Sequence, residues 1–144
     1  MANKVHIAHL LIVFSFLFIS KISFPQNRDY EVESITTNDG LTNGSIREII
    51  QDSKGFMWFA TEGGLNRYDG YNVKLYDCKQ SIITTIFEDP ADSGKILWIG
   101  TKQGGLFQFY KKSEKFIQYQ HNADDPHSIS NNYVHCIYKD RSGV

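Results

Sequence analysis

Two stretches of this chain repeat the same residues in the same order, and that repeat constrains the fold more than any other feature. Around Trp58 the sequence runs Asp52, Gly55, Trp58-Phe59-Ala60-Thr61 and Gly63-Gly64-Leu65. Around Trp98 it runs Asp89, Gly94, Trp98-Ile99-Gly100-Thr101 and Gly104-Gly105-Leu106. Each copy closes on aromatics, Tyr68 and Tyr71 in the first and Phe107 and Tyr110 in the second, and the tryptophans stand 40 residues apart. A third copy starts at Asn132 and reaches Asp140 and Gly143, each 88 residues after its counterpart Asp52 or Gly55. Its tryptophan would fall at about position 146, so the sequence reads as a piece of a longer chain.

A repeat of this length matches one propeller blade of four short strands. Strands are predicted over 46–51, 56–61, 65–68 and 73–77, and again over 83–88, 96–101, 106–110 and 116–120. Each run is rich in β-branched and aromatic residues and bounded by Gly, Asn, Asp or Ser. Asp69-Gly70 is a tight-hairpin signal. One local signal disagrees: Ser45 and Glu48 are spaced as a helix capping box. The equivalent stretch Ile82-Ile83-Thr84-Thr85-Ile86-Phe87 is β-branched throughout, and Tyr133–Tyr138 alternates with Val134, Cys136 and Tyr138 on one face, so strand is expected in all three places. The fold expected is therefore all-β, a partial β-propeller with an opening strand, two four-stranded blades and the start of a third. Blade one covers about 42–78, blade two about 81–121 and the start of blade three about 131–144.

The repeated positions have structural work to do. A tryptophan in each blade fills the wedge between neighbouring sheets. The small residue after it admits a close backbone. Asp52, Asp89 and Asp140 sit where a carboxylate caps the loop after the inner strand, with Gly55, Gly94 and Gly143 in the same loop. Gly64 and Gly105 supply positive φ ahead of Leu65 and Leu106, and Thr61 and Thr101 end the strand before them. All fourteen read as fold-maintaining positions; no residue is read as catalytic, none as a metal ligand, and no ligand contact is assigned.

The first 26 residues differ in kind. Leu10–Ile19 is apolar apart from Ser15 and is bracketed by Lys4 and Lys21. Ten such residues are too few to span a bilayer, which takes about 20, and the arrangement is that of a secretory signal peptide cleaved near 23–26. An uncleaved anchor or a buried N-terminal strand is the alternative. Export carries the domain 27–144 across the membrane. The formal charge is −1 overall, and removal of Lys4 and Lys21 makes the remainder more acidic, so no nucleic-acid contact is expected. Cys78 and Cys136 could pair in an oxidising compartment, but their apolar contexts favour two separate buried thiols.

Other residues invite functional readings. Asp69, Asp77, Glu88, Asp89, Asp124 and Asp125 could supply a glycosidase pair, but they read as solvated loop acids. His121, Asp124, Asp125 and His127 carry metal-donor types without a ligand spacing, and read as a polar linker. Asn43-Gly44-Ser45 reads as a turn. Tyr71 and Tyr119 read as inter-blade packing, with stacking on a sugar ring as the alternative.

From about Tyr30 onward the sequence resembles the two-component regulator propeller repeat. The residues that carry the resemblance are 30–41 (YEVESITTNDGL), similar to the entry strand and Asp-Gly-Leu turn that open such sensors, Asn43 to Thr61, Gly64-Leu65-Asn66-Arg67-Tyr68-Asp69-Gly70-Tyr71, and the linker 121–132. The second copy departs from the pattern by a longer loop, Asp92-Ser93-Gly94-Lys95, before Trp98. The resemblance implies the N-terminal part of the exported sensor of a Bacteroidetes-type hybrid histidine kinase. Such a parent has further blades, a membrane helix and kinase domains. It detects a carbohydrate fragment, works as a homodimer and controls transcription. This stretch itself would be no enzyme and would need no cofactor. Two other classes remain: an exported propeller that binds or scaffolds without a kinase, and a sialidase-like hydrolase, since Asp52-x-x-Gly55-x-x-Trp58 also resembles the Asp-box of those propellers.

Overall fold

The computed structural model describes residues 32–78 and 82–140. The signal segment expected over 1–26 and the glycine at 143 lie outside the described residues. The chain divides into two units, Met1–Glu33 and Ser34–Val144, and the strands described belong to the second.

Among the described residues, eight strands form two four-stranded antiparallel sheets, each in sequential order. The first sheet comprises β1 (Ile46–Gln51), β2 (Met57–Thr61), β3 (Gly64–Tyr68) and β4 (Val73–Tyr76). The second comprises β5 (Ile83–Glu88), β6 (Ile96–Thr101), β7 (Leu106–Tyr110) and β8 (Lys115–Tyr119). All eight lie within one residue of the expected bounds. The helix-capping signal at Ser45 loses to the ladder, with Ile50 opposite Trp58 and Gln51 opposite Met57. Both inner strands carry a bulge at the same place, between Ile46 and Glu48 and between Ile83 and Thr85.

Period-2 alternation decides which face of each sheet is buried. Trp58, Ala60, Leu65 and Tyr76 face the second sheet, and Ile86, Leu97, Ile99, Phe107 and Phe109 face back. The two sheets thus share one core. Trp58 packs on Tyr76 at 5.5 Å and edge-on to Phe109 at 5.9 Å between ring centroids. Tyr76 and Phe109 are themselves edge-to-face at 5.0 Å. Such contacts add roughly 0.5–1.5 kcal/mol each beyond area burial.

Gly100 shows why a small residue follows the tryptophan. A Cβ there would stand 2.6 Å from Thr85 Cγ2 and 2.8 Å from Val134 Cγ1. The third repeat segment therefore lies directly against the second sheet. The Val134 N–H donates to the Thr101 carbonyl at 3.0 Å, and the Thr84 hydroxyl donates to the Val134 carbonyl.

Three expectations change. The opening strand within 30–41 is not a strand among the described residues. The turn expected at its end does form: Thr36 caps a 3-10 turn at Thr37–Asp39 with a reciprocal Thr36–Asp39 capping box, and Gly40 ends it in the left-handed region at φ 103°. The local polar residues thereby satisfy the backbone that a ladder would have used. The segment 133–138, expected as a strand, is not in a ladder either. Cys136, expected to be buried, is exposed, whereas Cys78 is buried, and both are free thiols.

Candidate functional site

The residues of the first repeat converge on the junction of the two sheets. Asp52 follows β1 directly. Its Oδ1 accepts from the backbone N–H of Lys54 at 2.9 Å and of Phe56 at 3.0 Å, which shapes the β1–β2 loop. Gly55, at φ 88°, completes that loop by donating its N–H to the Asp52 carbonyl. Asp52 Oδ2 accepts from Trp58 Nε1 at 2.9 Å and from Lys111 Nζ at 2.9 Å. Lys111 arrives from the second sheet, just beyond β7, and also pairs with Glu88 at the end of β5. The Lys111 side chain is 9% exposed and that of Asp52 is fully buried. Glu88 Oε2 in turn accepts from the Ser53 N–H at 2.7 Å. The sheets are thus joined across a buried ion pair whose oxygens are occupied by hydrogen bonds. Desolvation pushes the Asp52 carboxyl upward, but the hydrogen bonds from Trp58 and Lys111 outweigh it and hold it below its ordinary value.

The second repeat follows the same plan with its loop lengthened, Asp89–Lys95 against Asp52–Phe56. That extension divides one carboxylate's work between two. Asp89 caps the Pro90–Asp92 turn through the Ala91 N–H and binds Lys139 Nζ at 2.9 Å through both oxygens. Asp92 accepts from the Lys95 N–H. Gly94 is in the left-handed region, where a Cβ would strike Ser53 Oγ. Trp98 is only half-buried, near Tyr119 at 6.0 Å, because it faces the third repeat segment and not a complete sheet.

Thr61 and Thr101 close the β2–β3 and β6–β7 turns alike. Each hydroxyl donates to the carbonyl of the glycine ahead of Leu65 or Leu106, Gly64 at 2.8 Å and Gly105 at 2.9 Å. Each also accepts a glycine N–H, Gly63 or Gly104. Leu65 is buried in the shared core, whereas Leu106 is half-buried on the far face of the second sheet. Asp140, one residue after Lys139, lines a shallow groove beside Pro90.

A cleft of about 660 Å³ opens beside the Asp52–Lys111 pair. The β1–β2 loop and β3 line one wall, with Lys54, Phe56 and Arg67. Lys95, Tyr110 and the β7–β8 turn line the other. The Arg67 guanidinium lies 4.6 Å above the Phe56 ring, and its buried Nε has no hydrogen-bond partner.

The remaining candidates fall elsewhere. Glu88, read as a solvated loop acid, ends a strand and is tied into the interface. Tyr71, read as packing, is 91% exposed at the β3–β4 turn, while Tyr119 is partly exposed with its hydroxyl donating to Gln108. The linker acids are engaged in turns: Asp125 Oδ1 accepts from the His127 N–H, and His121 Nδ1 contacts the Ile129 carbonyl. No group of three metal-donor side chains is gathered among the described residues. Lys111 and Arg67 were not legible as site residues, since neither occupies a position at which the two repeats agree.

Two adjacent four-stranded sheets, packed face to face through a loop carboxylate and a tryptophan, are blades of a β-propeller. Residues 40–63 match the family described as two component regulator propeller. It is similar to the crystal structure of the extracellular domain of the hybrid two component system BT3049 from B. thetaiotaomicron, with a TM-score of 0.68 and 30% identity over 77% of this chain and 16% of that one. The extracellular domain of a one component system from the same organism shares the fold, with a TM-score of 0.54 and 18% identity over 76% of this chain and 21% of that one. A histidine kinase of Formosa agariphila is 42% identical over 66 residues. Those residues are 46% of this chain and 5% of the kinase. The chain therefore spans a small part of each relative's length. Among the described residues no helix is long and apolar enough to cross a membrane.

Proposed function

We propose that the chain is the N-terminal part of an exported propeller sensor, whose complete protein detects a periplasmic glycan fragment and signals to a histidine kinase controlling transcription. The observation that carries this is the likeness of the blade pair, at 30% identity over 77% of the chain, to the extracellular domain of a hybrid two-component system. The apolar run Leu10–Ile19 supports export, with the blades on the periplasmic side and residues 1–26 removed. The blades bind and transmit; the phosphotransfer chemistry belongs to downstream domains, and a homodimer suits a kinase that phosphorylates in pairs. Blade boundaries near 42–78, 81–121 and 131–144 make the fourteen repeat positions, Asp140 and Gly143 included, the maintenance residues of successive blades.

The test is to read the coding sequence past Val144. The expected result is a tryptophan near position 146, further repeats of about 40 residues, a membrane helix and kinase motifs. A stop codon after the last blade, with no kinase in the same frame, overturns the signalling role and leaves a binding module.

A further inference from the structure

We propose that the cleft between the two sheets binds an anionic saccharide, a sugar bearing a carboxylate or a sulfate, with Arg67, Lys54, Lys95 and Lys112 holding the anion. This rests on the glycan reading above and adds the charge class and the place. Lys111 is committed to Asp52 and Glu88. The side chains of Lys54, Arg67, Lys95 and Lys112, which also line the cleft, make no ion pair among the described residues. Asp52, the carboxylate that lines it, already accepts from Lys111, Trp58 and two backbone N–H groups. A chain of net charge −1 thus gathers around one concavity four cations outside any ion pair, of which Arg67 lies within electrostatic reach of Asp69 and Glu114. Low-dielectric walls strengthen such a field toward an anion.

The shape and lining agree with a sugar. A volume of about 660 Å³ lies within the range of small-molecule sites, roughly 300–1,000 Å³. Tyr110, half-buried in the lining, offers a ring against which the C–H face of a pyranose can lie. Arg67 stacks on Phe56, so its planar guanidinium is already oriented, and a fork of this kind matches a carboxylate or sulfate. Its Nε donor has no acceptor within the protein. The backbone beneath the lysines is fixed as well. The Lys54 N–H is held by Asp52, the Lys95 N–H by Asp92, and the Lys95 carbonyl by the Lys111 N–H at 3.0 Å. The ordering left to be done on binding is then that of the lysine side chains.

The experiment titrates the full chain, with trimethylamine N-oxide present and its folded monomeric state checked first, by tryptophan fluorescence and calorimetry, with digalacturonate, a sulfated disaccharide, a neutral galactose disaccharide and inorganic sulfate. One or both anionic disaccharides are expected to saturate the signal, more weakly as salt rises, while the neutral sugar does not. Arg67→Gln, and separately the triple Lys54→Ala, Lys95→Ala, Lys112→Ala, should each weaken binding by roughly tenfold or more. Lys115→Ala, at the start of the outer strand, should leave it unchanged. Which of the two anionic sugars binds identifies the acid. Equal binding of the neutral disaccharide, unaltered in the triple variant, overturns the anionic cleft and leaves the glycan reading standing. Inorganic sulfate binding as tightly as the sulfated disaccharide overturns the saccharide assignment. No binding of any probe overturns the cleft alone, because a complete propeller has other faces for its ligand.

Discussion

Removal of the Asp52 carboxylate is the sharpest test of how the two blades are held together. In Asp52→Ala the Trp58 Nε1 donor is left buried without an acceptor, which costs about 1–3 kcal/mol. The Lys54 and Phe56 N–H groups are only partly buried and regain water, so their combined loss is nearer 1 kcal/mol. Lys111 keeps Glu88 but loses its better-buried partner. The expected loss is about 3–4 kcal/mol, a large part of the stability of a small domain. Asp52→Asn separates the contributions. Its Oδ1 still accepts both backbone bonds, but its amide nitrogen opposes the donors of Trp58 and Lys111, so about 2–3 kcal/mol should be lost. The assay is urea unfolding followed by tryptophan fluorescence, with trimethylamine N-oxide present to keep every variant folded at the start. The same carboxylate sets an acid limit. Its folded-state value is depressed, so its contribution is fully present above the unfolded value of about 3.9 and fades as pH falls below that. If Asp52→Ala unfolds within about 0.5 kcal/mol of the parent, or if Asp52→Asn keeps the parent's acid limb, the interface does not depend on this carboxylate.

Gly100→Ala should drive a methyl into Thr85 and Val134 and cost about 1–3 kcal/mol, read as faster amide exchange at Val134 with β2 and β3 unaffected. Cys136 should alkylate readily in the native chain. Cys78, whose thiol is pushed up to about 12 by burial, should react only on unfolding, and mass spectrometry after timed iodoacetamide treatment distinguishes them. The isolated chain should be marginally stable or self-associate, because Trp98, Ile117 and Tyr119 on the far face of the second sheet await a neighbour. A monomer that melts cooperatively well above room temperature contradicts that. Tyr71→Ala, at a turn tip touching no core residue, should shift the unfolding midpoint by no more than about 0.5 kcal/mol.

The interface explains why both tryptophans recur but only one is fully buried. Each points forward along the blade order. Trp58 packs on Tyr76 of its own sheet and meets a finished second sheet through Phe109, while Trp98 meets a segment that is not in a ladder and is held through Thr84, Thr101 and Gly105. The same covalent pattern therefore gives two burial states, and the neighbour sets the difference.

Period and punctuation were legible in the sequence. Alternating apolar residues, Asp-Gly and Gly-Gly turns and a 40-residue spacing determined eight strands and their pairing, because ladders between adjacent strands are local events written into adjacent residues. The same pattern also marked Asp52 as the loop carboxylate. What lies across from that carboxylate was decided by the tertiary structure alone. Lys111 stands 59 residues beyond Asp52 and at no shared repeat position, and only the packing of one blade on the next brings its ammonium to the Asp52 and Glu88 oxygens. The cleft has the same origin. Arg67 and Lys95 belong to different sheets, and no local rule places them on facing walls. The outcome ahead of Gly40 has the opposite cause: no strand forms over 32–36, while the turn expected after it does, since Thr36 and Asp39 satisfy the backbone within a few residues and a strand would have required a distant partner.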